Sequence, residues 1–338
     1  MRGWRRHSMA WCYRREYIAR TLAGQGRAAL VGLRGTVSPE ETMRCVKLLV
    51  AAVLLCSCPV AAQDGDREAV DLLLRGEREV ISTEAQQNRF ETTHLILYID
   101  RGVLAGDGPR QFAKQLERGF VAVSDALSRK FDSERFRVKK PTYYLTDRAG
   151  ISHVNGAHVF LRAARVVDSP AIAVHETVHL LLGTDPAAPR NFPITPPEIE
   201  ATTGVWLAEG FASHVATQLA PRLGLLPYRL FLRGDDSTVH SEAMEWLDDP
   251  RGKAVVPYVG SRGWPPGLLA DRVDVAPPFY VLSQSFVKFV TARAGLRAMA
   301  QLYDDHFNGH ASIEDDVRRI TKLELAQWRA DWLRALEK

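Results

Sequence analysis

The sequence predicts an α+β protein in which a small N-terminal sheet with its helices precedes a mostly helical C-terminal half. Runs rich in β-branched and aliphatic residues lie between residues 92 and 161, with one long amphipathic pattern between them. After residue 170, apolar residues recur mainly at helical spacing. The composition, with 46% hydrophobic and 25% charged residues, is typical of a globular protein.

The first 62 residues differ from the rest of the chain. Residues 1–42 are Arg-rich and lack sustained periodicity. Residues 43–62 begin with Met43 and a short basic segment, continue through an apolar run and end in small residues, which predicts a secretory signal peptide. We interpret residues 1–42 as an over-long, disordered extension ahead of a true start at Met43, and we predict cleavage after Ala62.

This leader predicts a secreted or periplasmic protein whose mature chain has no membrane span. One alternative is a membrane anchor, although the apolar run is shorter than the roughly 20 residues that a spanning helix needs. Another is a lipoprotein, because residues 55–58 loosely resemble a lipoprotein cleavage box with a lipid anchor at Cys58. All four cysteines precede residue 63, so disulfides and cysteine metal ligands are excluded from the body.

The body of the chain divides into a helical arm and one large domain. The net charge of +4 comes from the N-terminal residues, and the rest is mildly acidic, which gives no electrostatic case for nucleic-acid binding. The sequence does not indicate an oligomeric state. The predicted segments are a helical arm at 63–89, a domain at 90–338, strands at 92–99, 138–145 and 158–161, and a helix at 109–131.

The pentapeptide at residues 175–179 has the pattern H-E-x-x-H and lies between apolar residues. If it is helical, His175 and His179 lie one turn apart on one face, where two imidazoles can bind one zinc ion. Glu176 then projects beside the metal, where it can take a proton from a metal-bound water.

Flanking residues support the helix. Ser169 is a good N-cap, Pro170 suits the first turn and Gly183 suits the position past the end. The alternative is a chance H-E-x-x-H on a buried helix with two core histidines.

A catalytic zinc site needs three protein ligands and an open position for water. Glu209 lies in an apolar helical run at 205–219, where a lone carboxylate is costly to bury unless a metal or charged partners meet it. An exposed Glu on an amphipathic helix is the alternative. Glu198 and Glu200 are rival carboxylates in a Pro-rich stretch.

The two motifs, H-E-x-x-H and then W-L-x-E-G-x-A, resemble those of the gluzincin metallopeptidases, which include thermolysin and the zinc aminopeptidases. They are most similar to the bacterial peptidase MA-like family, and the resemblance covers residues 90–338. It implies a zincin-like fold with His175, His179 and Glu209 as zinc ligands. It also implies that Glu176 is the general base in the hydrolysis of a peptide or protein substrate.

The C-terminal half contains further helices and one loop-rich segment. In the family, a helix like the one predicted at 279–294 carries a Tyr that can point at the zinc, so Tyr280 becomes the candidate that stabilises the transition state. Packing of Tyr280 into the core is the alternative. Further helices are predicted at 296–307 and 312–336, and 223–276 is expected to be loop-rich.

Several polar residues are candidates for the surroundings of the metal. In gluzincins the last strand before the metal helix is an edge strand that pairs with substrate, so Asn155 or His158 could line the cleft. Both are more typical of surface positions, as is His240. Ser213 or Asp185 could orient the histidines.

The predicted function is therefore zinc-dependent hydrolysis of peptide bonds. One alternative is an amidohydrolase that acts on cell-wall peptides with the same chemistry. The other is a non-catalytic envelope binding protein that retained the fold, although such a protein would have no use for Glu176.

Overall fold

The structure is a computed structural model that describes residues 68–69, 71–182, 204–225, 231–263, 265–268, 272–308 and 312–337. The predicted extension and leader lie outside these residues, so they stay predictions, as does the domain boundary at 89/90. Asp185, Glu198, Glu200 and Gly183 also lie outside them. In the described part of the chain, no helix is both long and apolar enough to cross a membrane.

The described residues combine one small mixed sheet with many helices, as predicted in outline. The strand order is β1-β2-β3-β5-β4, with β2, β3 and β5 parallel and an antiparallel strand at each edge. The five strands are β1 (Asn88–Glu91), β2 (Ile96–Ile99), β3 (Thr142–Thr146), β4 (His153–Asn155) and β5 (His158–Arg162).

Two strand predictions were wrong in detail. The run at 92–99 contains only β2, because Thr92 bonds to Leu95 through both its backbone and its hydroxyl and closes a turn between β1 and β2. The strand expected at 138–145 begins only at Thr142. Both errors follow from β-branched residues that occupy turns and ends rather than strand interiors.

The expectation that the last strand before the metal helix is an edge strand was also wrong. The turn at Gly156, whose φ is +58°, folds β4 back onto β5, so β4 is the edge and β5 is internal. Three-residue β4 was missed because it is too short to show an alternating pattern.

Both faces of the sheet are covered by helices. Residues 71–82, within the segment expected to be a helical arm, form α1, and Val80 of α1 packs against Tyr144 and Phe160 on one face of the sheet. Tyr143 and Leu161 point to the other face, where α2 (Gly108–Leu127) packs. Because helices cover both faces of the sheet, the parallel strands carry apolar side chains on both sides.

The helix that carries residues 175–179 joins the sheet to the helical half. α3 (Ser133–Phe136) and α4 (Ala163–Val166) are short connections, and α5 (Ala171–Leu181) lies between the sheet and α6 (Val205–Leu223). Within α5, Ile172 and Ala173 join the core of the sheet, whereas Val174 and Val178 join the core of the helical half. α5 is therefore held from both sides.

The segment from 223 to 276 is more ordered than predicted. It contains α7 (Val239–Asp248) and α8 (Pro250–Val255), and Asp249 caps α8 through a bond from the Arg251 N–H. These helices are too short to show a clear helical period among the surrounding Gly and Pro residues.

The remaining helices are α9 (Ala276–Ala294), α10 (Leu296–Asn308), α11 (Ile313–Thr321) and α12 (Leu325–Leu336). The single helix predicted at 312–336 was wrong, because Lys322 ends α11 with a φ of +64° and Glu324 is extended. The helices predicted at 279–294 and 296–307 correspond to α9 and α10.

A glycine permits the close approach of α6 and α9. A Cβ added at Gly210 would lie 2.5 Å from the Ser283 carbonyl oxygen, and backbone atoms cannot move away as a side chain can. Gly210→Ala is therefore expected to lower the free energy of unfolding by roughly 1–3 kcal/mol in urea titrations. The control is Gly119→Ala in α2, where the added Cβ meets only Val174 at 3.4 Å, and we expect no loss there. Equal stability of both variants would contradict this account of the contact.

Candidate metal centre

The H-E-x-x-H segment lies in α5, which is buried among the sheet, α2 and α6. The predicted cap differs by one residue: Pro170, rather than Ser169, holds the N-cap position, and no side chain caps the helix. The helical turn brings the Nε2 atoms of His175 and His179 to 3.0 Å from each other. Both side chains are almost completely buried.

Glu209 reaches the same point from α6. Its Oε2 lies 3.2 Å from Nε2 of His175 and 3.7 Å from Nε2 of His179, and the residue is 2% exposed. The two imidazoles thus offset part of the cost of burying this carboxylate. The predicted alternative of an exposed Glu on an amphipathic helix is wrong.

The three atoms are spaced as the ligands of one tetrahedral ion. Metal–ligand distances of about 2.0–2.1 Å in a tetrahedral zinc site place the ligand atoms about 3.3 Å apart. The observed separations are 3.0, 3.2 and 3.7 Å. A metal ion could be held by three or more His, Cys, Asp or Glu side chains that lie close together. Among the described residues, His175, His179 and Glu209 form the one group of this kind.

Two hydroxyl groups contact the outer nitrogens of the histidines. The Tyr303 hydroxyl lies 2.9 Å from Nδ1 of His179, and Ser213 Oγ lies 3.3 Å from Nδ1 of His175. If each Nδ1–H donates to its hydroxyl oxygen, both Nε2 lone pairs face the common point near Glu209. This arrangement leaves three unprotonated donor atoms for a cation.

Ser213 was one of the two residues that the sequence proposed for this role, whereas Tyr303 was missed. Tyr303 lies on α10, 124 residues after His179, and no local pattern distinguishes it from a core aromatic residue. Only the packing of α10 against α6 shows its position.

The Glu209 carboxylate is the negative member of this group and affects the pKa of its neighbours. Burial lowers the pKa of His175. Burial also acts against the charged form of His179, but the nearby Glu209 carboxylate outweighs it and raises the pKa of His179. Burial also acts against the charge on Glu209, yet the two histidines hold its pKa well below the ordinary value. Burial raises the pKa of Glu176 to about 8, and the charge of His179 opposes this effect while the charge of Glu209 adds to it.

A small cavity opens beside the group. Its volume is about 50 Å³, enough for a few water-sized groups. The ring of Tyr280 lies 6.3 Å from that of His175 between centroids and packs on Phe231 at 4.4 Å. The residues that line the cavity are Ile151, Ser152, Arg162, Arg165, Ile172, His175, Glu176, Phe231, Leu268 and Tyr280. The structure thus brings Glu176 and Tyr280 to one cavity.

The other candidate residues lie elsewhere. Asn155 donates to Glu77 at 2.6 Å, and His158 Nδ1 lies 3.2 Å from the Tyr144 hydroxyl, on the α1 side of the sheet. His240 contacts Ser285 Oγ.

Removal of the Tyr303 hydroxyl is expected to weaken zinc binding. Tyr303→Phe takes away the contact to His179 Nδ1, and loss of such outer partners typically costs 10–100-fold in metal affinity. Competition with a chromophoric zinc chelator measures the change. Tyr143→Phe is the matched control, since that buried hydroxyl contacts Thr177 and no metal ligand. An unchanged affinity in Tyr303→Phe would show that this hydroxyl does not orient His179.

Comparison with solved structures finds 20 similar chains, and two of them show the extent of the match. One is the M1 zinc metallopeptidase from Deinococcus radiodurans, with 14% identity over 72% of this chain and 50% of that chain, and a TM-score of 0.43. The other is a substitution mutant of an M1 zinc metallopeptidase from the same organism bound to a Tyr-Ser-Ala substrate, with 13% identity, the same coverage and a TM-score of 0.36. The chain spans about half the length of these enzymes. No family model matches the chain. No curated protein matches it either.

Proposed function

We propose that this protein is a zinc metallopeptidase. The observation that carries the proposal is the buried group of His175, His179 and Glu209, whose three donor atoms are spaced for one tetrahedral ion. Glu176, the residue after the first histidine, lines the cavity next to this group. The combination of two imidazoles, one carboxylate and a further nearby carboxylate is typical of zinc hydrolases.

The donor set fits zinc. Two neutral imidazole nitrogens and one carboxylate oxygen leave a fourth tetrahedral position open, and the body of the chain has no cysteine that would favour a closed structural site. His175, His179 and Glu209 would hold the ion. When bound there, zinc would polarise a water molecule and a substrate carbonyl and lower the pKa of that water.

The residues of the chain then have separate roles. Glu176 takes a proton from the attacking water and passes it to the leaving amine. Tyr280, which lines the same cavity, donates a hydrogen bond to the oxygen that becomes negative as the carbonyl is attacked. Tyr303 and Ser213 keep the two imidazoles in the orientation that binds metal.

We further propose that the protein acts in the periplasm or outside the cell. The support is the leader at 43–62, with its basic start, apolar run and small residues before Ala62. A lipid anchor at Cys58 is the variant of this proposal. N-terminal sequencing and mass measurement of the protein purified from the cell envelope distinguish the two, because lipidation leaves Cys58 as the first residue.

A substrate panel tests the proposed activity. Zinc-loaded protein is incubated with unfolded casein, a mixed peptide library and cell-wall stem peptides, and products are identified by mass spectrometry. Cleavage of casein or library peptides that a zinc chelator stops supports a peptidase. Cleavage of stem peptides alone would replace it with the amidohydrolase. Zinc binding without any cleavage would favour the non-catalytic binding protein.

A further inference from the structure

Two arginines line the cavity beside Glu176. Arg162 is the last residue of β5, and Arg165 follows three residues later in α4, so both lie on one side of the same turn. Apart from these arginines, Glu176 and His175, the described residues that line the cavity are apolar or neutral. Among the described residues that line the cavity next to the proposed general base, two side chains are basic and one is acidic.

The backbone of Arg162 is firmly held, but its charge is not paired within the described residues. Its N–H donates to Ser152 Oγ at 3.0 Å, and its Cα is in register with Thr146 of β3. The half-buried guanidinium makes no hydrogen bond or ion pair with any residue that the structure describes. Arg148, at the same end of the sheet, instead binds Asp100 through two nitrogens. A half-buried guanidinium with five donors favours an anionic partner.

Arg165 is positioned by an aromatic contact. Its guanidinium carbon lies 5.8 Å from the centre of the Phe231 ring, and Phe231 in turn packs on Tyr280. This row of side chains leads from His175 along the cavity wall to Arg165. A substrate group that contacts Arg165 would thus lie close to the reacting bond.

A carboxylate is the group that these features select. It matches the planar guanidinium geometry, and its three heavy atoms fit a cavity of about 50 Å³. We propose that Arg162 and Arg165 bind a carboxylate of the substrate, so that the protein prefers peptides with an acidic side chain or a free C-terminal carboxylate next to the cleaved bond. This proposal rests on the proposed peptidase function and names its substrate class.

Binding measurements test the proposal without depending on turnover. The probes are peptides of one sequence in which each position in turn is Asp or Asn, each made with a C-terminal acid or amide. Zinc-loaded protein carrying Glu176→Gln is titrated with them by calorimetry. We expect at least about tenfold tighter binding of one carboxylate form over its neutral match, because charge-assisted hydrogen bonds are lost in the neutral form. Dependence on one Asp position identifies a side-chain carboxylate, and dependence on the acid terminus identifies the C-terminus.

Variants assign the preference to the arginines. We expect Arg162→Gln and Arg165→Gln each to reduce the preference for the carboxylate form, and the double variant to abolish it. Arg162→Lys should show an intermediate preference, and this result would argue against simple misfolding of the Gln variants. Arg118→Gln, on the exposed face of α2, should keep the full preference. Equal binding of charged and neutral peptides, no measurable binding, or a preference that survives the double variant would overturn the proposal.

Cleavage is measured separately with unsubstituted protein on the same peptides. A carboxylate preference in binding without cleavage would keep the anion site and reject the peptidase. Cleavage of neutral and charged peptides at equal rates would keep the peptidase and reject the anion site.

Discussion

Glu176→Gln is expected to lower kcat/KM for peptide hydrolysis by about 10²–10⁴-fold while the protein keeps about one zinc per chain. The amide has nearly the shape of the carboxylate but cannot accept a proton at neutral pH. Glu176 lines the cavity beside the three proposed ligands and is not one of them, so zinc binding should survive. Steady-state kinetics on a peptide found in the substrate panel, together with elemental analysis, measure both quantities.

The matched control is Glu242→Gln. Glu242 is equally buried, but its carboxylate accepts hydrogen bonds from the N–H groups of Arg233 and Gly234 in the helical half. This variant should lose stability and keep its kcat per folded molecule. Wild-type rates in Glu176→Gln would show that another group takes the proton.

Removal of zinc is expected to destabilise the protein by about 4 kcal/mol when free zinc was present at about 1,000 times its Kd. The reason is that the proposed ligands His175 of α5 and Glu209 of α6 are 34 residues apart and are brought together only in the folded chain. For a domain of this size the loss corresponds to a drop in Tm of roughly 8–16 °C. Differential scanning calorimetry before and after chelation measures it.

The control for this prediction is His240→Ala, which alters a histidine that contacts Ser285 and no metal ligand. It should show the same zinc-dependent increase in Tm as the wild type. His175→Ala should show little or none. A wild-type Tm that does not respond to zinc would mean that the group does not bind the ion in the folded chain.

The proximity of His175, His179 and Glu209 could be expected from sequence because it depends on local features, while their role as metal ligands stays a prediction. The spacing of His175 and His179 needs only one helical turn, and Glu209 stands out as a lone carboxylate in an apolar helix. Glu209 was preferred over rivals that lie in a Pro-rich stretch, and the structure places it 3.2 Å from His175. Tyr280 lines the cavity beside this group, while its role stays a prediction.

Features that depend on long-range packing could not be predicted. Tyr303 reaches His179 from a helix 124 residues away, and nothing in its neighbours marks it. The edge position of β4 depends on a tight turn at Gly156, which the sequence shows, and on a three-residue strand, which it does not. Arg162 and Arg165 were passed over for the same reason, since only the folded chain places them beside Glu176.

The most direct test of this account is the zinc content of the purified protein and of Glu209→Ala, by elemental analysis under metal-replete conditions. We predict about one zinc per chain in the wild type and a sharp loss in Glu209→Ala, since removal of one of three ligands leaves only the two histidines. A wild-type protein without zinc, or equal zinc in both proteins, would contradict the assignment of this buried group as a metal centre.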